Sequence, residues 1–142
     1  MKKIIILIAF VSCITQLQAQ KIMQSDVPLT VKDAFHKAYP SVKDADWSKD
    51  GNNFEAQYDA NKVDMSVTFS TDGKLIETEM EIPVSSLPKA IMDYVKKNYK
   101  EDEVKEASKI IDAKGIVTYE AEVKGLDLIF DSKGNFIKSV KA

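Results

Sequence analysis

Few residues in this chain have the type and spacing to do chemistry. His36 is the only histidine and stands between Phe35 and Lys37. No serine, cysteine or carboxylate is spaced to act with it. A general base needs a positioned partner, so His36 is expected to face solvent from a helix. Histidine-based metal ligation lacks a second histidine or a mature cysteine. Asp44, Asp46 and Asp50 before Gly51, and Asp131 before Gly134, offer oxygen ligands, but an EF-type loop needs them at alternate positions with a closing glutamate. Asp and Gly here are expected to serve turn geometry. No catalytic residue, metal or cofactor follows from these patterns.

A set of acids stands out instead. Glu77, Glu79 and Glu81 alternate with Thr78, Met80 and Ile82, and Glu55, Glu120 and Glu122 fall at the same outward phase of their own segments. Alternation of period two is the mark of a half-buried strand. It predicts either a solvated face or an acidic sheet surface that draws a basic protein or peptide. Trp47 joins these glutamates as a candidate for the binding face, with a place in the core beneath a helix as the other reading.

The elements that would position these residues occur twice. The run Val67 to Ile82 has an Asp72-Gly73 turn between alternating segments, the strongest hairpin signal in the chain. Leu128 to Val140 repeats it at a shift of 61. Ahead of the first hairpin, Val31, Ala34, Phe35, Ala38 and Tyr39 form a helical stripe, with Asp26 as its expected N-cap and Pro40 as its stop. Ile91, Tyr94, Val95, Asn98 and Tyr99 repeat that stripe at a shift of 60, with Ser86 in the capping place. Each helix leads into four short strand segments: 42–48, 54–58, 63–69 and 76–82, then 104–107, 119–121, 126–130 and 136–141. In the second repeat Lys109 falls where the first has Trp47.

These patterns predict an α+β fold, a tandem repeat of one helix plus a four-stranded antiparallel meander. The helices cover one face of a shared sheet and leave the other polar. Residues 20–25 show no periodicity and read as a tether. Residues 26–142 read as a single domain of two repeats, 26–82 and 83–142.

Two lysines, an apolar run and Ala19 before Gln20 make residues 1–19 an export signal, so the mature chain should begin at Gln20 in the periplasm or outside the cell. The apolar run is shorter than the ~20 residues that span a bilayer, and no later one approaches that length. Cys13, the single cysteine, follows Phe10-Val11-Ser12, a poor context for lipid attachment, so no lipid anchor is expected. All twenty basic residues are lysine, and loss of the signal takes two of them but none of the 22 acids, leaving a net charge of about −4. Without arginine, and with this sign, nucleic acid is excluded as a partner.

The order helix, Ala-Asp-Trp strand, Phe-Glu-Ala-Gln-Tyr strand and Val-Thr-Phe-Ser-Thr-Asp-Gly-Lys-Leu-Ile hairpin, given twice behind a signal, resembles the PepSY-like proteins with a beta-lactamase-inhibitor-like fold, common as small exported proteins of Bacteroidetes. The resemblance spans about residues 26–142. It implies a concave tandem sheet and a binding or inhibitory module, and it carries over no site residue. The expected function is therefore a non-enzymatic binding module of the cell envelope, acting as an enzyme inhibitor or a ligand buffer through its polar sheet face. The alternative is a structural or assembly component of an envelope complex.

Overall fold

The computed structural model describes residues 20–100 and 102–142, so the predicted signal and Cys13 lie outside the described residues. Nine strands form one antiparallel sheet in strict sequence order. They are β1 (Gln20–Ile22), β2 (Asp46–Asp50), β3 (Asn53–Asp59), β4 (Asp64–Ser70), β5 (Leu75–Glu81), β6 (Ala107–Asp112), β7 (Val117–Val123), β8 (Leu126–Asp131) and β9 (Phe136–Lys141). Helices α1 (Leu29–Ala38) and α2 (Lys89–Tyr99) precede β2 and β6. Among the described residues no helix is long and apolar enough to cross a membrane.

Strand alternation and helical phase meet in two apolar clusters, one per repeat. Val31 and Phe35 of α1 bury against Trp47, Phe54, Ala56, Val67 and Phe69. Ile91 and Val95 of α2 bury against Ala107, Ala121, Val123, Leu128 and Phe130. Phe35 is the hub of the first cluster, with the rings of Trp47, Tyr39 and Tyr58 centred 5.3, 5.4 and 5.7 Å away. The second cluster has fewer rings: Tyr94 packs edge-on to Phe130 and stacks on Phe136 at 4.9 Å.

The repeat extends to local irregularities. Register slips between Thr68 and Phe69 opposite β5, and again between Ile129 and Phe130 opposite β9. Ile76 and Ile137 are the extra residues at these two bulges. Each bulge adjoins a hairpin turn whose glycine, Gly73 or Gly134, has a positive φ and lies under the first turn of a helix.

Several sequence expectations are corrected. Residues 20–25 are no tether: Gln20–Ile22 pairs with β2, and Ile22 lies opposite Trp47, so an apolar side chain in an aperiodic segment is recruited by the core edge. Asp26 and Ser86 do not cap the helices. Each ends a 3-10 turn, and the helices start after Pro28 and Pro88, whose carbonyls accept the first helical amides. The first long strand is Asp46–Asp50 and not 42–48, with Val42 and Ala45 packing as irregular chain. Ala38, placed on the apolar stripe by its spacing, is exposed where α1 ends. Finally, register makes Ala107 the counterpart of Trp47, since Trp47 faces Ala56 and Ala107 faces the matching Ala121. Lys109 instead faces Tyr119.

Candidate functional site

Side chains on the sheet face away from the helices fall into rows set by the register. One row runs Ser48, Glu55, Thr68, Glu77, Asp112 across β2 to β6. The next runs Asp46, Gln57, Ser66, Glu79, Ile110, Thr118 from β2 to β7. A third runs Glu81, Ser108, Glu120, Ile129, Lys138 from β5 to β9. Glu122 lies opposite Asp127 beyond it. All six predicted glutamates therefore share one face, because strand alternation and a single continuous sheet give them the same phase.

Trp47 is not with them. It is 3% exposed on the helix side, edge-on to Phe35. Its phase is that of Ala56 and Val67, both buried, so the neighbours in register settle which side it takes.

The same face also holds acids beyond those six. Asp46, Asp59, Asp64 and Glu106 join Glu55, Glu79 and Glu81 around a depression of about 480 Å³. Asp127 alternates with the core residues Leu126 and Leu128, a period-two signal that marks it as outward. The others sit at strand ends, where sequence periodicity fades.

Few cations answer these charges. Glu122 has Lys105 at 3.9 Å, Asp46 has Lys21 at 3.2 Å, and Glu55 accepts a hydrogen bond from the Ser48 hydroxyl at 2.9 Å. Toward the middle of the sheet the carboxyls are half-buried and face one another. Burial, then the charges of Glu79, Asp127, Glu122 and Glu77, push the Glu120 carboxyl up to about 8. Burial raises Glu77 and Glu79 as well, reinforced by Glu55, with Lys138 opposing at Glu77 and a Ser108 hydrogen bond opposing at Glu79. Glu81 is raised chiefly by sharing a hydrogen bond with Asp64. Burial lifts Asp127 above the usual carboxylate range. These are the two standard reasons for a carboxyl to keep its proton, a drier site and like charge nearby. Glu120 in particular gives up its proton only in mildly alkaline solution or beside a cation.

The remaining candidates have structural roles. His36 is exposed on α1 with its ring 5.7 Å from that of Phe35. Asp131 accepts the backbone amides of Lys133 and Asn135 at 2.9 and 2.8 Å, the turn geometry expected of it. Among the described residues no group of three or more His, Cys, Asp or Glu side chains could hold a metal ion.

No curated protein matches the sequence. Among solved structures, one from Bacteroides eggerthii, described as a putative periplasmic protein, superposes with a TM-score of 0.71 at 18% identity, covering 81% of this chain and 88% of its own. A DUF2874 family protein from Bacteroides ovatus gives 0.69 at 19% identity, covering 82% and 89%. A BLIP-like protein from Bacteroides fragilis gives 0.61 at 20% identity, covering 79% and 84%. At such identities the likeness is one of fold. The family described as "Putative beta-lactamase-inhibitor-like, PepSY-like" matches twice in tandem, over residues 14–77 and 61–138. The two matches overlap over residues 61–77 and together span most of the chain, and the chain belongs to this PepSY-like family.

Proposed function

We propose that this protein is an exported, non-enzymatic binding module of the periplasm or extracellular space, and that its open acidic sheet face takes a basic protein or peptide. The observation that carries the reading is the set of Glu55, Glu77, Glu79 and Glu120 on one uncovered face. These glutamates stand on every second strand, β3, β5 and β7, and directly opposed acids occur at Glu77 with Asp112 and Glu122 with Asp127, where like charges repel by tenths of a kcal/mol per pair when exposed and by more when half-buried. A face kept only for solubility would do better with lysines interspersed. A cation docking there relieves the repulsion and ionises the protonated members, so attraction and proton release go together. The PepSY-like family match, and the description of the Bacteroides fragilis structure as BLIP-like, support an envelope binding or inhibitory role.

The test is capture from envelope extract with residues 20–142 as bait, repeated with Glu77→Gln, Glu79→Gln and Glu120→Gln combined. Capture by the native face should weaken with added salt and in the triple variant, with the fold intact. Full, salt-independent capture by the triple variant would refute the reading.

A second reading, attachment within an envelope complex, is favoured by β9. It is the last strand of the sheet, exposed along its whole length, with Ile137 and Val140 uncovered and Phe136 part-exposed beside Tyr94. An open, partly apolar edge is a template for an added strand.

A further inference from the structure

Of the two edges of the sheet, β1 offers three residues and β9 offers six. The backbone groups that β9 leaves open follow from its pairing. The Ala142 amide donates to the Gly125 carbonyl at 3.1 Å, so Val140 and Lys138, at the same alternation, turn their amides and carbonyls toward β8. Ile137, Ser139 and Lys141 turn theirs away from the sheet. In the second repeat β9 stands where β5 stands in the first, with Ile137 and Ile76 as the extra residues of matching bulges. There the same edge is filled. The Ile76 carbonyl accepts the Ala113 amide at 2.8 Å, and the Ile82 amide donates to the Ala107 carbonyl at 2.8 Å, as β6 pairs along β5. The bulge is therefore no bar to a further strand, and β9 is an edge of this pattern that no described strand covers.

The side chains of β9 suit it to its own copy. Ile137 and Val140 are 53% and 41% exposed and alternate with lysines in the order Ile137, Lys138, Ser139, Val140, Lys141. Two copies related by a two-fold axis through the sheet keep each side chain on its own face, so one residue must lie opposite itself. Only Lys138 and Ser139 are central enough for the whole strand to pair. About Lys138, two ammonium groups would oppose each other. About Ser139, Lys138 lies opposite Val140 of the second copy and Lys141 opposite its Ile137. Each lysine stem then covers an exposed aliphatic side chain, and no like charges meet. The open backbone groups also come face to face, Ser139 with Ser139 and Ile137 with Lys141. Because Val140 pairs with Asp127, Lys138 joins the row that holds the carboxylate of Asp127 in the second copy.

We propose that β9 pairs with β9 of a second copy, antiparallel about Ser139, joining two nine-stranded sheets into one. The dimer rests on the open edge of the second reading above and names its occupant. Both acidic faces lie on one side of the joined sheet and stay free. A single strand edge buries less than the ~1,200–2,000 Å² of stable complexes, so the dimer should dissociate at roughly tens of micromolar.

The experiment sediments residues 20–142 at concentrations from about 5 to about 500 µM, with amide hydrogen exchange measured in parallel. A shift from monomer to dimer is expected, with exchange at Ile137, Ser139 and Lys141 slowing as concentration rises. Ser139→Pro removes an amide that β8 does not use, a change edge strands tolerate, and should give a folded monomer at every concentration. Val140→Lys sets an ammonium opposite Lys138 at both symmetric contacts and should weaken association roughly tenfold, which keeps the test open should the proline variant not fold. A native protein that stays monomeric, or a dimer that Val140→Lys or folded Ser139→Pro leaves intact, would overturn the proposal. If that monomeric protein shows slowed exchange at the same three amides in envelope extract, strand addition at β9 survives without the second copy. No slowing there removes both.

Discussion

Gly73 lies directly beneath Thr30: a Cβ built at Gly73 would stand 2.7 Å from the Thr30 carbonyl oxygen. The hairpin turn and the start of α1 are thus in backbone contact, and Thr30 adds a hydroxyl hydrogen bond to the Thr71 carbonyl at 3.1 Å. Gly134 repeats the arrangement under α2, where a Cβ would stand 2.8 Å from that of Ala90. Gly73→Ala should cost about 2–3 kcal/mol, combining a left-handed φ of 76° with a helix pushed off the turn. Gly51 has a similar φ of 57° but nothing within 4 Å of a built Cβ, so Gly51→Ala should cost about 1 kcal/mol. Urea denaturation of both variants measures the difference, and equal losses would remove the helix contact from the explanation.

Phe35 and His36 are neighbours in sequence and about 100° apart around α1, which carries one into the core and the other to its solvent margin. Phe35 is buried among Trp47, Tyr58 and Phe69, whereas His36 is exposed. Phe35→Ala should lose about 3–5 kcal/mol through lost burial and the cavity left behind. His36→Ala should stay within about 0.5 kcal/mol of the parent. Comparable damage from the two changes would mean that the helical phase is wrong.

Which parts of this architecture the sequence discloses depends on how local the cause is. The Asp72-Gly73 hairpin, the outward glutamates and both helical stripes, apart from Ala38 and Asn98 near the helix ends, follow from periodicity within a dozen residues and are found as expected. What fails depends on distant partners. Ile22 becomes strand only because the edge of β2 and the Trp47 ring await it. Short motifs place the counterpart of Trp47 at Lys109, two residues beyond Ala107, because the longer exit after α2 is offset by a shorter stretch before β6. The conflict among the central carboxyls likewise requires the β5 to β6 junction, which joins the two repeats into one face.

Strand β1 gives a direct test of that long-range assembly. Its three residues pair with Trp47, Ser48 and Lys49, and Ile22 packs on the first apolar cluster. A chain begun at residue 24 should lose about 1–3 kcal/mol, the contribution of one part-buried aliphatic side chain and a short ladder. The near-ultraviolet signal of Trp47, the single tryptophan, should broaden or weaken at the same time. Unchanged stability with an unchanged tryptophan signal would return residues 20–25 to the status of a tether.

The acidic face makes stability depend on pH in an uncommon direction. A carboxyl whose folded value is raised binds its proton more tightly in the folded protein than in the unfolded chain. Glu120 moves from 4.5 to about 8, so its contribution favours the folded state fully below about pH 4.5 and is lost as the pH rises to about 8. Glu77, Glu79 and Asp127, also raised, act with the same sign. Asp72 and Asp131 are held below the usual range by turn hydrogen bonds and oppose this only in more acidic solution. The protein should therefore unfold more readily at pH 8.5 than at pH 5.5. Glu120→Gln keeps the shape without the charge and should regain about 1–2 kcal/mol at pH 8.5, a figure discounted for the solvent that still reaches this side chain. It should regain progressively less as the pH falls toward 4.5. Urea titrations of both proteins at the two pH values decide the point. If Glu120→Gln leaves the difference between pH 5.5 and 8.5 unchanged, Glu120 is not the group that resists ionisation, and the mutual repulsion assigned to this face is too weak to draw a cationic partner.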